Sequence, residues 1–156
     1  MTIELRAAPA AELPAATLYR ILQLRVAVFV VEQQCPYPEL DGRDLEAGAL
    51  CWWASSAGTV VATLRVLRDG PRTMRIGRVA TDPAWRSKGV AARLLLAALD
   101  QIGPGPQVVL DAQSALAGWY ARFGFVPAGE EFSEDGIAHL PMHRPAHTQP
   151  APNAPG

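Results

Sequence analysis

The hydrophobic residues of this chain follow two periodicities. Spacings of three and four residues predict helices, whereas alternation or a short apolar run bounded by Gly and Pro predicts a strand. In chain order, the predicted elements are a strand at 3–5, a helix over 13–31, strands at 50–54, 60–67 and 73–81, a helix over 88–100, a strand at 108–110, a helix over 114–122, and strands at 125–126 and 137–142. This order is typical of an α+β (α/β layered) domain with a mixed, mostly antiparallel sheet flanked by helices.

The end of the chain differs from the rest in composition. The stretch from Arg144 to Gly156 contains four prolines and no large apolar residue. Such a segment buries too little surface to offset its ordering entropy. We therefore expect one folded domain over residues 1–143 and a proline-rich disordered tail over 144–156.

Composition narrows the class of protein. The chain has 156 residues, of which 49% are hydrophobic and 19% charged, with a formal net charge of −1. These values exclude a disordered chain and a generally basic nucleic-acid-binding protein. Cys35 and Cys51 are too few for a disulfide scaffold or a four-cysteine zinc site, so we expect packing thiols and no metal. The chain lacks a signal-peptide pattern and a bilayer-length apolar run. We expect a soluble cytoplasmic protein, a monomer or homodimer, without membrane or nucleic-acid partners.

The segment Arg86-Ser87-Lys88-Gly89-Val90-Ala91 has the features of an anion site. It lies between a strand and a strongly apolar helix, and a helix N-terminus offers unpaired N–H groups and the positive end of the dipole. Gly89 removes a side chain where a phosphate would approach the backbone. An ordinary solvated helix start is the alternative.

The charges of the chain are unevenly distributed. Residues 65–93 hold eight of the fourteen basic residues and two acidic ones, a local charge of +6. Such a field concentrates an anionic ligand. Eight of the fifteen acidic residues form two clusters, within 39–46 and 130–135. We expect these clusters to attract a cationic amine, with a solvated loop surface as the alternative.

Several motifs together resemble the GNAT superfamily of acyl-CoA-dependent N-acyltransferases. They are Arg86-x-x-Gly89-x-Ala91 at a helix start and Tyr120-Ala-Arg-Phe-Gly-Phe125 at a helix end. The match is closer to the ElaA family, through Leu24-Arg25, Val28 to Gln33, Cys35-Pro36-Tyr37, Asp41-Gly42, Asp44, Ile76 to Val79, Asp135-Gly136-Ile137 and His139. The resemblance covers about residues 3–143.

The resemblance implies a coenzyme site. In GNAT proteins the loop corresponding to Arg86, Ser87, Lys88, Gly89, Val90 and Ala91 holds the coenzyme A pyrophosphate through backbone N–H groups. The preceding strand, here Arg78-Val79-Ala80, pairs with the pantetheine arm, and an N–H near Val79 would polarise the thioester carbonyl.

The resemblance also implies a general acid. Tyr120 matches the tyrosine that protonates the leaving thiolate in the superfamily, while a packed aromatic residue is the alternative. The general base stays open among Glu32, Asp111 and His139. A carboxylate on an apolar helix, such as Glu32, is costly unless used or paired, and a salt bridge with Arg25 or Arg43 is its alternative. Histidine side chains handle protons near neutrality, but His139 would equally suit a hydrogen-bonded strand position.

These features predict transfer of an acetyl or other acyl group from acetyl-CoA to a primary amine of a small molecule or peptide. The amine would attack directly in a ternary complex, because neither cysteine has a recognisable histidine partner. One alternative is a non-catalytic acyl-CoA-binding sensor. Another is an acyl-homoserine-lactone synthase, whose N-terminal pattern is similar.

Overall fold

The computed structural model describes residues 2–147, with eight strands and three α-helices. The strands are β1 (Glu4–Ala8), β2 (Leu50–Ser56), β3 (Thr59–Gly70), β4 (Thr73–Thr81), β5 (Gln107–Gln113), β6 (Val126–Pro127), β7 (Phe132–Glu134) and β8 (Ile137–Arg144). The helices are α1 (Ala15–Val26), α2 (Val90–Ile102) and α3 (Ala117–Ala121). No helix among these residues is both long and apolar enough to cross a membrane.

All strands belong to one sheet in the order β1-β2-β3-β4-β5-β8-β6, with β7 paired to β8. Every neighbouring pair is antiparallel except β4 and β5, which run parallel. The predicted mixed, mostly antiparallel sheet flanked by helices is confirmed. The parallel pair requires a crossover connection, and α2 supplies it.

The sheet opens in its centre between β4 and β5. Their pairing covers only residues 73–75 and 107–109, so the two strands separate from Ile76 onward. On its other edge, β4 carries a bulge: Thr63 pairs with Ala80 and Arg65 with Gly77, which leaves Arg78 and Val79 opposite one residue of β3. A bulge redirects backbone groups locally. The opening and the bulge lie on the same stretch of β4.

Apolar side chains fill both faces of the sheet. The larger cluster joins α2 and α3 to one face and includes Trp52, Leu94 and Phe125. Cys51 and Trp53 pack with Ile21 of α1 in a separate cluster. Neighbouring residues of one strand point to opposite faces, so the pair Trp52 and Trp53 contributes to two different cores.

The main departures from the predicted elements occur where the backbone changes geometry. The first helix changes to a π-helix over Ala27–Glu32. Helix α2 begins at Val90 instead of residue 88, because Ser87 and Gly89 have φ of 62° and 75°, outside the helical region. Strand β7 was not predicted.

The last strand ends close to the predicted end of the domain. Strand β8 runs through Arg144, one residue beyond the predicted boundary at 143. The His147 N–H donates to the carbonyl of Pro104 over 2.9 Å, so contacts with the domain continue past this strand. Residues 148–156 of the predicted tail lie outside the described part of the chain.

Candidate active site

A cavity of about 680 Å³ occupies the opening between β4 and β5. Val79 of β4, Asp111 of β5, Tyr120 of α3 and His139 of β8 all line it. Four residues singled out from separate parts of the sequence therefore surround one space. The lining also contains five carboxylates and four arginines, so the cavity suits a polar ligand.

Tyr120 is held rigidly in the wall of this cavity. It is 7% exposed, and its ring makes edge contacts with Trp119 and Phe125 at centroid distances of 4.9 and 6.1 Å. Burial raises the pKa of Tyr120 to about 12, because an apolar environment disfavours the phenolate. The phenol thus keeps its proton at neutral pH, so it is in the protonated form that a general acid requires.

His139 presents a basic nitrogen. Its Nδ1 lies 2.8 Å from the carbonyl oxygen of Ile137, and a carbonyl can only accept. Nδ1 therefore carries the proton in the neutral ring, which leaves the lone pair on Nε2. The ring stacks on Phe132 at 5.6 Å, which fixes its plane. Asp111 is less available, since Nη1 of Arg75 donates to it over 3.3 Å.

Glu32 does not join this group. It is exposed at the end of the π-helix, is not among the cavity-lining residues, and accepts two hydrogen bonds of 2.7 and 2.8 Å from Arg86. The hydrogen bond from Arg86 lowers the pKa of Glu32. Glu32 is thus paired as the alternative interpretation expected, but with Arg86 instead of Arg25 or Arg43.

The loop before α2 presents free backbone donors. Within residues 2–147, the N–H groups of Gly89, Val90 and Ala91 donate to no protein acceptor. Gly89 has φ of 75°, and a Cβ built there meets nothing within 4 Å, so the space above the loop is open. The Lys88 ammonium lies 5.6 Å from the ring centre of Trp85. These groups fit a pyrophosphate.

The strand residues predicted to hold the coenzyme arm differ in orientation. Val79 lines the cavity, while Ala80 is 3% exposed and packs against Leu24 and Val28. The side chain of Ala80 therefore points away from the opening. Any contact of Ala80 with a ligand would involve its backbone.

An ion-pair network that begins in the cavity wall and extends into the protein was not predicted from the sequence. Its members are three arginines and three carboxylates: Arg25, Arg65, Arg78, Glu39, Asp41 and Asp44. Arg25 is 1% exposed and donates to Glu39 and Asp44 over 2.7 and 2.6 Å. The sequence does contain a signal for a buried, paired arginine: Arg25 lies four residues after Ile21 and four before Phe29, on the apolar face of the helix.

This network corrects the expected separation of charge. Carboxylates of the 39–46 cluster neutralise Arg65 and Arg78 of the basic segment, so they do not form an opposed acidic surface. Glu39 is buried and cannot attract a ligand from solvent. The second cluster remains open to solvent, with Glu134 and Asp135 at the cavity rim. Of the two predicted clusters, this one is the more exposed to a cationic acceptor.

A model of the acetyltransferase (GNAT) domain matches residues 19–145. The chain belongs to the GNAT acetyltransferase family. The relationship found from the motifs is therefore confirmed by a match over most of the domain.

Curated and solved relatives place this GNAT protein beside the ElaA family. A UPF0039 protein of Mycobacterium tuberculosis is 48% identical over 153 residues, 96% of this chain and 97% of the relative. ElaA of Escherichia coli is 40% identical over 140 residues, 85% of this chain and 90% of the relative. The crystal structure of E. coli ElaA superposes with a TM-score of 0.86, covering 92% of this chain and 99% of ElaA.

An acyl-CoA N-acyltransferase from Pseudomonas aeruginosa has the same fold. Its structure is 37% identical, with a TM-score of 0.85 over 92% of this chain and 99% of that one. The shared fold includes the sheet in whose opening the cavity lies.

Proposed function

We propose that this protein transfers an acetyl group from acetyl-CoA to a primary amine of a small molecule or peptide. The main support for this proposal is that Tyr120, His139 and Val79 line one cavity at the opening of the sheet. The GNAT family match and the N-acyltransferase relative support acyl-CoA as the donor.

The coenzyme would bind along β4 and the loop that follows it. The backbone N–H groups of Ser87, Lys88, Gly89, Val90 and Ala91 would hold the pyrophosphate, with Arg86 and Lys88 adding positive charge. The pantetheine arm would pair with the open edge of β4 at Val79 and Ala80. Among the residues described, β4 pairs with β5 only through residue 75, so its edge facing the cavity has no strand partner beyond that point, which supports this path.

The reaction would proceed by direct attack. The amine nitrogen adds to the thioester carbonyl carbon while the Val79 N–H donates to the developing oxyanion. His139, through Nε2 or an intervening water, takes the proton that the nitrogen loses. The C–S bond then breaks, and the Tyr120 hydroxyl gives its proton to the thiolate, so that an amide and free coenzyme A leave. The phenolate regains a proton and His139 gives one up, directly or through solvent, so that both residues return to their starting states.

We propose His139 over Glu32 and Asp111 as the base. The free lone pair on Nε2 supports His139, whereas arginine side chains occupy the carboxylates of Glu32 and Asp111. The two cysteines are buried free thiols, which suits a cytoplasmic location, and we propose a monomer or homodimer.

Calorimetric titration of acetyl-CoA together with a thiol-release assay tests this proposal. We expect binding, and thiol release that depends on an added primary amine. Tight binding without release for any amine would instead favour a non-catalytic acyl-CoA sensor. Failure of acetyl-CoA and longer acyl-CoAs to bind would overturn both.

A further inference from the structure

Arg78 has a backbone conformation that is unusual for its residue type. It lies inside β4 with φ of 53°, in the left-handed region that residues other than glycine rarely adopt. It is also one of the two β4 residues of the bulge, next to Val79. A strained backbone of this kind persists only where its surroundings hold it.

The side chain of Arg78 is held by Glu39. Nε donates to Oε2 of Glu39 over 2.8 Å, and Nη2 donates to the Glu39 backbone carbonyl over 3.1 Å. The guanidinium also lies 5.5 Å from the ring centre of Tyr37. Glu39, which lies in the segment between the π-helix and β2, therefore accepts hydrogen bonds from two nitrogen atoms of Arg78.

Glu39 is itself immobilised. It is 3% exposed, and Oε2 also accepts from Nε and Nη2 of Arg25 over 3.0 and 2.7 Å. The Tyr37 hydroxyl donates to Oε1 over 2.7 Å. Glu39 is not among the residues that line the cavity. Any effect it has on chemistry there must pass through another residue.

We propose that Glu39 is a positioning residue: through Arg78 it holds the β4 bulge in the conformation that directs the Val79 N–H into the cavity. This role rests on the proposed acyl transfer, in which that N–H donates to the oxyanion. The Val79 N–H would stabilise the transition state more than the bound substrate, because the carbonyl oxygen gains negative charge only as the transition state forms. The loss of Glu39 should therefore affect kcat more than coenzyme binding.

Arg78→Gly and Arg78→Ala form a matched pair. Both remove the side chain that Glu39 holds, but glycine adopts positive φ without strain and alanine does not. We expect Arg78→Ala to lose about tenfold in kcat, with the KM for acetyl-CoA within about twofold of wild type. Arg78→Gly should retain several-fold more activity than Arg78→Ala. Equal losses would mean that the side chain, not the backbone, matters, and would overturn the proposal.

A structural readout separates this proposal from the proposed function. In isotope-labelled full-length Glu39→Gln, the Cα and Cβ chemical shifts of Arg78 should move toward extended-strand values. Unchanged shifts would overturn the positioning role whether or not the protein transfers acetyl groups. If Glu39→Gln does not fold, the activities of Arg78→Gly and Arg78→Ala decide the question. The Arg78 side chain is partly exposed, so we expect both of these variants to fold. If wild type shows no transfer, the proposed function fails and the shifts still test the bulge.

Discussion

Glu32 binds Arg86 through two parallel hydrogen bonds of 2.7 and 2.8 Å, joining the π-helix to the loop that precedes α2. Arg86 is fixed further by donation from its Nε to the carbonyl of Thr81 over 3.2 Å. The Glu32 carboxylate therefore fixes a residue of the loop that we propose holds the coenzyme, and it lies apart from the cavity. A charge-assisted bidentate pair gives orientation as well as attraction.

Glu32→Gln should raise the KM for acetyl-CoA about threefold to tenfold and leave kcat within about twofold, because Arg86 loses its orientation but the reacting groups do not change. Steady-state kinetics at varied acetyl-CoA concentration measure both constants. Arg86→Gln should raise the KM at least as much, because it also removes a positive charge, and the double variant should be no worse than Arg86→Gln alone. A selective fall in kcat for Glu32→Gln would instead restore Glu32 as the general base.

Tyr120→Phe should lower kcat by about 100-fold, because the thiolate leaves without a proton donor. The dissociation constant of acetyl-CoA, measured by calorimetry, should not change, since the ring and its contacts with Trp119 and Phe125 remain. Equal loss of affinity and turnover would argue that Tyr120 only packs.

The pKa of Tyr120 also sets a pH dependence. Because burial raises this pKa to about 12, the acid stays protonated throughout the usual assay range. We expect kcat to show no decrease between pH 8 and about pH 10, the pH at which an ordinary tyrosine is half ionised. A decrease centred near pH 9 in wild type but absent in Tyr120→Phe would contradict this assignment.

Gly89→Glu should weaken acetyl-CoA binding by at least about tenfold, because it places a negative side chain in the open space above the loop. Gly58→Glu is a matched control. Gly58 also has a positive φ, of 81°, and a Cβ there likewise meets nothing within 4 Å, but it lies in the β2–β3 turn. Calorimetry should show normal affinity for the control. Equal affinity in both variants would place the coenzyme elsewhere.

The ion-pair network predicts sensitivity to acid. Burial alone would raise the pKa of Asp41, but hydrogen bonds from Arg65 and the Arg43 N–H outweigh it and lower the pKa to about 2. A carboxylate whose pKa is depressed on folding stabilises the protein above its unfolded pKa, near 4, and loses this contribution as the pH falls toward 2. Thermal unfolding should therefore show a smaller decrease in Tm from pH 4 to pH 2 in Asp41→Asn than in wild type. An identical decrease would exclude this contribution.

The sequence predicted those features that depend on local pattern. The β2–β3 hairpin follows from alternation around Ala57-Gly58, and the loop before α2 follows from Gly89 preceding an apolar helix. Glu39 and Arg78 meet across 39 positions of chain, and no periodicity links them. The positive φ of Arg78 could not be predicted either, because sequence signals for a left-handed backbone rely on glycine, asparagine and aspartate.

The most direct test of acyl transfer is mass spectrometry of a reaction that contains wild-type protein, acetyl-CoA and a panel of primary amines. We predict at least one N-acetylated amine, formed in equal amount to the free coenzyme A released, and little product with Tyr120→Phe. Wild-type protein that binds acetyl-CoA but forms no acetylated product with any amine, peptide amines included, would contradict it.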